Sequence, residues 1–168
     1  TPILETSRLW LRPLKEEDAP GAFLWTGDPK VSWYMRYETH ESLEDTKQWL
    51  REEEKQLDSD LLYDFGFHKK DNDELIGSGG LTFNQQQGIW ELGCNLRRDC
   101  WNQGYGTEAA AAILSFAENT LHIHRVMARH AKDNAASGRV LEKNAFSFVR
   151  ECWDQKWSGS HRFECREY

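Results

Sequence analysis

The most informative stretch of the sequence is Cys100-Trp101-Asn102-Gln103-Gly104-Tyr105-Gly106-Thr107-Glu108. A strand-like segment, Ile89–Leu96, precedes it, and a strong helix former at residues 108–119 follows. Gly104 and Gly106 therefore predict a tight turn whose backbone N–H groups point outward at a helix N-terminus. Free amides and the positive end of the helix dipole converge there, so the pattern predicts a phosphate-binding turn.

A Gly-x-Gly turn alone fits a plain strand-to-helix connection equally well. The chain has no Gly-x-x-x-x-Gly-Lys-Ser/Thr motif, which excludes a nucleoside-triphosphate P-loop. The dinucleotide pattern Gly-x-Gly-x-x-Gly also fails, because Ala109 replaces its last glycine. The two commonest phosphate loops are therefore excluded.

The turn resembles the Arg/Gln-x-x-Gly-x-Gly/Ala signature of the GNAT acetyltransferases, which holds the pyrophosphate of acetyl-CoA. The resemblance is nearest to the Rim-type branch, which acetylates the N-termini of ribosomal proteins. Residues 4–14 resemble the opening strand of that branch, and residues 90–93 lead into the turn as they do there. Late in the chain, Asn134-Ala135-Ala136-Ser137 precedes residues 140–146 in the order typical of the branch.

The sequence departs from the signature at three places. Trp101 stands where the general signature has Arg or Gln, and Arg98 stands where the branch often has proline. Asn144-Ala145-Phe146 replaces the usual Gly-Phe. We therefore expect Asn144 to take the left-handed conformation at the helix C-cap, which asparagine tolerates better than most residues.

The resemblance implies a single GNAT domain over residues 1–168, in the α+β (mixed α/β) class. The implied fold is a mostly antiparallel sheet of about seven strands, splayed at the cofactor slot and flanked by about four helices. The implied activity is transfer of the acetyl group from acetyl-CoA to a primary amine by direct attack in a ternary complex. The acceptor is either a protein N-terminus or a small amine. The alternative is a catalytically silent acyl-CoA-binding sensor or interaction protein.

The cofactor contacts implied by the resemblance fall on three segments. The strand end pairs with the pantetheine arm, the turn amides hold the pyrophosphate, and the late segment lies near the sulfur. These residues are Cys94, Asn95, Leu96, Asn102, Gln103, Gly104, Tyr105, Gly106, Thr107, Asn134 and Ser137.

Two polar residues of the late segment and one of the turn have further expected roles. By resemblance, the hydroxyl of Ser137 protonates the leaving thiolate. Asn134 is also an ideal N-cap for the helix that follows. Glu108, in the first helical turn, is expected to complement the helix dipole.

Glu91 is the best candidate for the general base. Strand alternation places it on one face with Gly93 and Asn95, leading to the slot. A carboxylate there can take the proton of the amine through water. A structural ion pair with an arginine fits Glu91 equally well, and His130 and Glu151 are weaker candidates.

Charge and aromatic residues bear on the acceptor. The net charge of −7 argues against a direct nucleic-acid partner and favours a cationic, amine-bearing substrate. The run Glu52-Glu53-Glu54 is typical of a solvated helix face. An aromatic stretch fits either the wall of an acceptor pocket or part of the core: Trp25, Trp33, Tyr34, Met35, Arg36 and Tyr37.

The cysteines and the hydropathy of the chain indicate its setting. The four cysteines form no CxxC pair and no cluster with histidines, so we expect no metal site. Cys152 and Cys165 are expected on neighbouring strands, with reduced thiols in a cytoplasmic protein. No apolar stretch is long enough to span a bilayer, so no membrane partner is expected, and the chain is expected to be a monomer or a homodimer.

Overall fold

The computed structural model describes all residues from 1 to 168. Eight strands form one sheet in the order β1-β2-β3-β4-β5-β6-β8-β7. Every neighbouring pair is antiparallel except β5 and β6, which run parallel. The strands are β1 (Leu4–Glu5), β2 (Leu9–Arg12), β3 (Leu62–Lys69), β4 (Leu75–Asn84), β5 (Ile89–Leu96), β6 (Val126–Ala131), β7 (Arg150–Gln155) and β8 (Arg162–Glu167).

Five α-helices and two 3₁₀ turns flank the sheet. The helices are α1 (Ala19–Thr26), α2 (Pro29–Ser32), α3 (Leu43–Glu54), α4 (Tyr105–Asn119) and α5 (Ala135–Lys143), and the 3₁₀ turns are Glu16–Asp18 and Arg98–Cys100. The predicted mixed α/β fold with a mostly antiparallel sheet is confirmed. The structure has one strand and one α-helix more than the approximate numbers expected.

The main core lies between the sheet and α4. The stripe of α4 that includes Ile113 and Phe116 packs on buried residues such as Phe65 and Leu92 of the sheet. A second cluster forms where α1 and α3 meet, around Trp25 and other apolar side chains. The helices pack on either side of the sheet, so the ends of the central strands remain as the place for a functional site.

The sheet splays at the end of β5. This strand pairs with β4 along its whole length, from Ile89 to Leu96. It pairs with β6 only through Trp90, Glu91 and Leu92, and β6 then turns its pairing to β8. From residue 93 to residue 96 the edge of β5 that faces β6 has no strand partner. Because successive backbone groups of a strand point alternately to its two edges, some of these amides and carbonyls remain free for a ligand.

The end of α5 differs from the prediction. Asn144 is the C-cap, but its φ is −98°, outside the left-handed region. The left-handed residue is Ala145, with φ +63°. The expected left-handed Asn144 was therefore wrong by one residue. Strand β7 then begins at Arg150.

Candidate acetyl-transfer site

The turn between β5 and α4 has the backbone that its glycine pattern predicts. Asn102 and Gly104 both have positive φ, +59° and +83°. Helix α4 starts directly after Gly104, and the N–H of Glu108 donates to the Gly104 carbonyl. The amides of the first helical turn, before Glu108, therefore have no acceptor within the helix. They form the positive end of a helix of 15 residues.

A network that the sequence analysis missed fastens this turn to the N-terminal strands. Glu108 accepts hydrogen bonds from the hydroxyls of Thr6 and Ser7 (2.6 and 3.0 Å) and from the N–H of Arg8 (2.8 Å). Arg8 also donates to the Gln103 carbonyl (3.0 Å). Burial of Glu108 acts to raise its pKa, but the hydrogen bonds from Thr6, Arg8 and Ser7 outweigh it and lower the pKa to about 2. Glu108 thus positions the turn in addition to lying at the helix dipole.

Helix α5 forms the opposite wall of the splayed slot. As predicted, Asn134 is its N-cap, and the Asn134 side chain accepts the N–H of Ser137 (3.3 Å). At the other end of the helix, the Asn144 amide donates to the Thr107 carbonyl (3.3 Å) and ties α5 to α4. Between these walls lies a cavity of about 540 Å³, which we call the slot cavity.

Ten of the eleven residues predicted to bind the cofactor line the slot cavity. They are Cys94, Asn95, Leu96, Asn102, Gly104, Tyr105, Gly106, Thr107, Asn134 and Ser137. Gln103 does not line it. Its side chain donates to the Asp99 carbonyl (2.8 Å), while its own carbonyl accepts from Arg8. Gln103 therefore stabilises the conformation of the turn without contacting the slot cavity.

A second cavity of about 530 Å³ lies over one face of β3, β4 and β5, and we call it the face cavity. The two cavities share four lining residues, namely Tyr34, Met35, Cys94 and Asn95. The aromatic stretch predicted as a pocket wall lines the face cavity, except for Trp33, which is exposed and packs against His161. The end of β5 is thus reached from two sides.

A family model described as an acetyltransferase (GNAT) domain matches residues 8–147. The chain belongs to the GNAT acetyltransferase family. It is 30% identical to the uncharacterized N-acetyltransferase YoaA of Bacillus subtilis, over 86% of this chain and 82% of that protein. It is also 31% identical to the [ribosomal protein uS5]-alanine N-acetyltransferase of Escherichia coli, over 49% of this chain and 43% of that protein.

A solved structure of similar fold is RimL, a ribosomal L7/L12 alpha-N-protein acetyltransferase in complex with coenzyme A. Its TM-score is 0.80 at 16% identity, over 99% of this chain and 97% of that chain. These likenesses confirm the predicted resemblance to the GNAT enzymes and to their ribosomal-protein branch. The chain is accordingly an N-acetyltransferase.

Glu91 of the acetyltransferase lines the face cavity and forms an ion pair. The Arg36 guanidinium contacts Glu91 (3.1 Å) on one side and Asp154 (2.7 Å) on the other. Both features foreseen for Glu91, an arginine partner and a place beside the slot, are present together. Its role as the general base stays a prediction.

The other candidates for proton transfer are placed less favourably. His130 lines the face cavity, but its Nδ1 lies 2.8 Å from the Ala131 carbonyl, and burial lowers the pKa of its ring. Glu151 pairs with Lys132 (3.3 Å) and lines neither cavity. Glu91 therefore remains the best placed carboxylate among the predicted groups.

Neither free cysteine is set up as a nucleophile. Burial raises the pKa of the Cys94 thiol to about 11 and also raises that of Cys100. Both thiols are therefore protonated near neutral pH, and a thiol is far less nucleophilic than a thiolate. This environment disfavours a mechanism in which a cysteine first attacks the acyl donor and forms an acyl-cysteine.

The remaining cysteines correct one expectation. Cys152 and Cys165 lie opposite each other on β7 and β8, as predicted, but the structure joins them in a disulfide rather than leaving reduced thiols. No group of three or more His, Cys, Asp or Glu side chains is placed to hold a metal ion. None of the helices has the length and apolar character needed to cross a membrane.

Proposed function

We propose that the acetyltransferase moves the acetyl group of acetyl-CoA to the primary amine of a small molecule, by direct attack in a ternary complex. The observation that carries this proposal is the meeting of the two cavities at Cys94 and Asn95. A donor in the slot cavity and an acceptor in the face cavity approach each other there from opposite sides. Holding two reactants in contact is the main source of acceleration in such a transfer.

The residues of the slot fit acetyl-CoA. The unpaired amides that open α4 suit the pyrophosphate, and the open edge of β5 suits the peptide-like pantetheine arm. The side-chain oxygen of Asn95 is buried without a hydrogen-bond partner, which leaves an acceptor at the inner end of the slot. When bound, acetyl-CoA supplies the acetyl group as a reactive thioester.

Two side chains are proposed to handle the protons. Transfer to an amine removes one proton from nitrogen and gives one to sulfur. Glu91, in the face cavity, accepts the proton of the amine directly or through water. Ser137, in the slot cavity on the first turn of α5, donates a proton to the sulfur. The two groups lie in different cavities, as their separate tasks require.

The walls of the face cavity favour a small acceptor. The turn between β7 and β8 is fastened onto residues 32–38: the Trp157 N–H donates to the Arg36 carbonyl (2.8 Å), and the Lys156 ammonium donates to the carbonyls of Ser32 and Tyr37. Ser158 and Ser160 add hydrogen bonds to Glu38. Through Trp157 the fastened turn forms part of the wall of the face cavity, which supports a compact amine as the acceptor.

A protein N-terminus is the second candidate acceptor. The 31% identity to the uS5-alanine N-acetyltransferase supports it, although that likeness covers about half of each chain. Three further parts of the proposal depend on sequence alone: the chain acts as a single GNAT domain, it is a monomer or a homodimer, and it acts in the cytoplasm. The net charge of −7 supports a substrate that is not nucleic acid.

Calorimetry with acetyl-CoA and a thiol-release assay test the proposal together. The assay compares small mono- and diamines with peptides that begin in alanine or serine. Turnover with small amines supports the proposal, and turnover with peptides alone moves the assignment to the second candidate. Binding without turnover on either class supports the silent sensor instead. Absence of binding overturns the assignment of the slot.

A further inference from the structure

The floor of the face cavity is one face of three neighbouring strands. Asp64 on β3, Gly80 on β4 and Gly93 on β5 are partners in register. Since neighbouring strands lie 4.7–4.9 Å apart, the Cα atoms of Asp64 and Gly93 are separated by about 10 Å. Gly93 directly precedes Cys94, where the two cavities meet. Asp64 thus lies across the floor from the transfer point.

Asp64 has no cationic partner in the protein. No ion pair in the chain includes Asp64 or its neighbour Glu53, which lines the same cavity and only accepts the indole N–H of Trp49 (3.1 Å). By contrast, the cavity carboxylates nearer the transfer point, Glu91 and Asp154, share the Arg36 guanidinium. The far end of the cavity therefore holds two carboxyl groups that form no ion pair within the protein.

The pKa values of Asp64 and Glu53 show that ionisation of these carboxyl groups is unfavourable in the free protein. Burial, with a further contribution from the charge of Glu53, raises the pKa of Asp64 to about 7. Burial likewise raises the pKa of Glu53. A bound cation would relieve both effects, because an opposite charge nearby favours the ionised carboxylate.

Aromatic groups line the same cavity as the two carboxyl groups. Trp25 is fully buried and lines the cavity together with Trp49 and Tyr37. The hydroxyl of Tyr37 is buried and has no hydrogen-bond partner. Aromatic faces beside carboxylates suit an ammonium group, which gains from both the ring quadrupole and the negative charge. The unpaired hydroxyl is an additional polar group for such a ligand.

We propose that the acceptor is a diamine or a longer polyamine whose second, non-reacting ammonium group binds between Asp64 and Glu53. The inference rests on the proposed function and narrows its substrate class. The reacting amine then extends along the cavity floor past Gly93 to the shared end of β5. A monoamine of the same chain length would occupy the same path without the ion pair.

The test compares cadaverine with pentylamine, which has the same carbon chain and one amine, at about pH 8, above the pKa of about 7 of Asp64. In Asp64→Asn, the ratio of kcat/KM for cadaverine to that for pentylamine is expected to fall at least about tenfold, since a desolvated charge partner is lost. Glu53→Gln is expected to act in the same direction. Glu52→Gln, one position along α3 and exposed, removes the same charge outside the cavity and is the matched control.

The outcomes separate this inference from the proposed function. An unchanged ratio in Asp64→Asn and in Glu53→Gln, or an equal fall in Glu52→Gln, overturns the diamine site. If neither amine supports thiol release, the proposed transfer to small amines fails, and calorimetry with cadaverine then decides the site alone. Binding that is weakened in Asp64→Asn keeps the ammonium site, and no binding to the wild-type protein overturns it.

Discussion

The Nε of Arg8 donates a 2.7 Å hydrogen bond to Oε2 of Glu108, although the two residues are 100 positions apart in the chain. Arg8 also lies over the Tyr105 ring, 4.3 Å from its centroid. The turn between β1 and β2 thereby holds the first turn of α4 in place. The phosphate-binding turn depends on this long-range contact as well as on its own glycines.

Removal of the Glu108 charge should loosen that turn. Glu108→Gln is expected to lower the free energy of unfolding by about 1–2 kcal/mol, because several charge-assisted hydrogen bonds are weakened. The affinity for acetyl-CoA should fall as the turn amides become less ordered. Chemical denaturation and calorimetry measure the two effects. Glu118→Gln, exposed near the other end of α4, is the control and should change neither.

The stability effect of Glu108 should depend on pH. The pKa of Glu108 is about 2 in the folded protein, below its ordinary value of 4.5. The contribution of the carboxylate is therefore present above about pH 5 and is lost as the pH falls toward 2. The difference between wild type and Glu108→Gln should shrink over that window, and a difference that stays constant would contradict the pairing.

A side chain at Gly104 should damage cofactor binding. The φ of +83° is strained for any side chain, and a Cβ there would come within 3.3 Å of the Arg8 guanidinium. In Gly104→Val, the dissociation constant for acetyl-CoA is expected to rise at least about tenfold. Gly88→Val is the control, because Gly88 has a similar φ of +64° in the β4–β5 turn with nothing near its Cβ. An equal loss of affinity in both variants would disprove the assignment of the turn.

Ser137 should affect turnover more than binding. In Ser137→Ala, kcat is expected to fall about 10–100-fold, because a proton donor to the sulfur is removed, while the affinity for acetyl-CoA changes little. Stopped-flow thiol release and calorimetry separate the two quantities. Ser115→Ala, on the exposed side of α4, is the control. Equal losses in kcat and in affinity would assign Ser137 to binding alone.

Glu91 and Asp154 offer a matched pair, because both contact Arg36. If Glu91 is the base, Glu91→Gln should lower kcat at least about tenfold. Asp154→Asn should have a smaller effect, since it disturbs the same guanidinium and leaves the Glu91 carboxylate in place. Steady-state kinetics with one small amine compares them. A similar loss in both variants would make Glu91 a positioning residue for Arg36.

Local patterns carried most of the fold prediction. Strand β5 was predicted with its observed bounds, and Asn134 was predicted as the N-cap of the helix that follows it, because alternation and a capping residue are local signals. The slot residues were predicted from the resemblance of three segments to the GNAT acetyltransferases, and ten of them line the slot cavity. Each of these features depends on a few neighbouring residues and can therefore be predicted from a single sequence.

The features that the sequence analysis missed depend on distant pairings. Nothing near Glu108 indicates its contact with Arg8. An arginine partner was expected for Glu91, but nothing near Glu91 indicates that this partner is Arg36. Asp64 is a single acidic residue in a strand, and only the register of β3, β4 and β5 places it in the face cavity. Such contacts follow from topology, which hydrophobic periodicity does not determine.

The free energy of unfolding should also reveal the unpaired charge of Asp64. Its pKa is about 7 in the folded protein and 3.8 ordinarily, so the folded state holds a proton that the unfolded chain releases, and stability falls as the pH rises from about 4 to 7. Asp64→Asn escapes this loss. Its free energy of unfolding should match that of the wild type near pH 4 and exceed it by about 4 kcal/mol at pH 8, as denaturant titrations at the two pH values would show. Asp71→Asn, in an exposed turn, should give no such difference. If Asp64→Asn is less stable than the wild type at pH 8, the carboxylate has a partner that compensates it, and the negative far end of the face cavity is disproved.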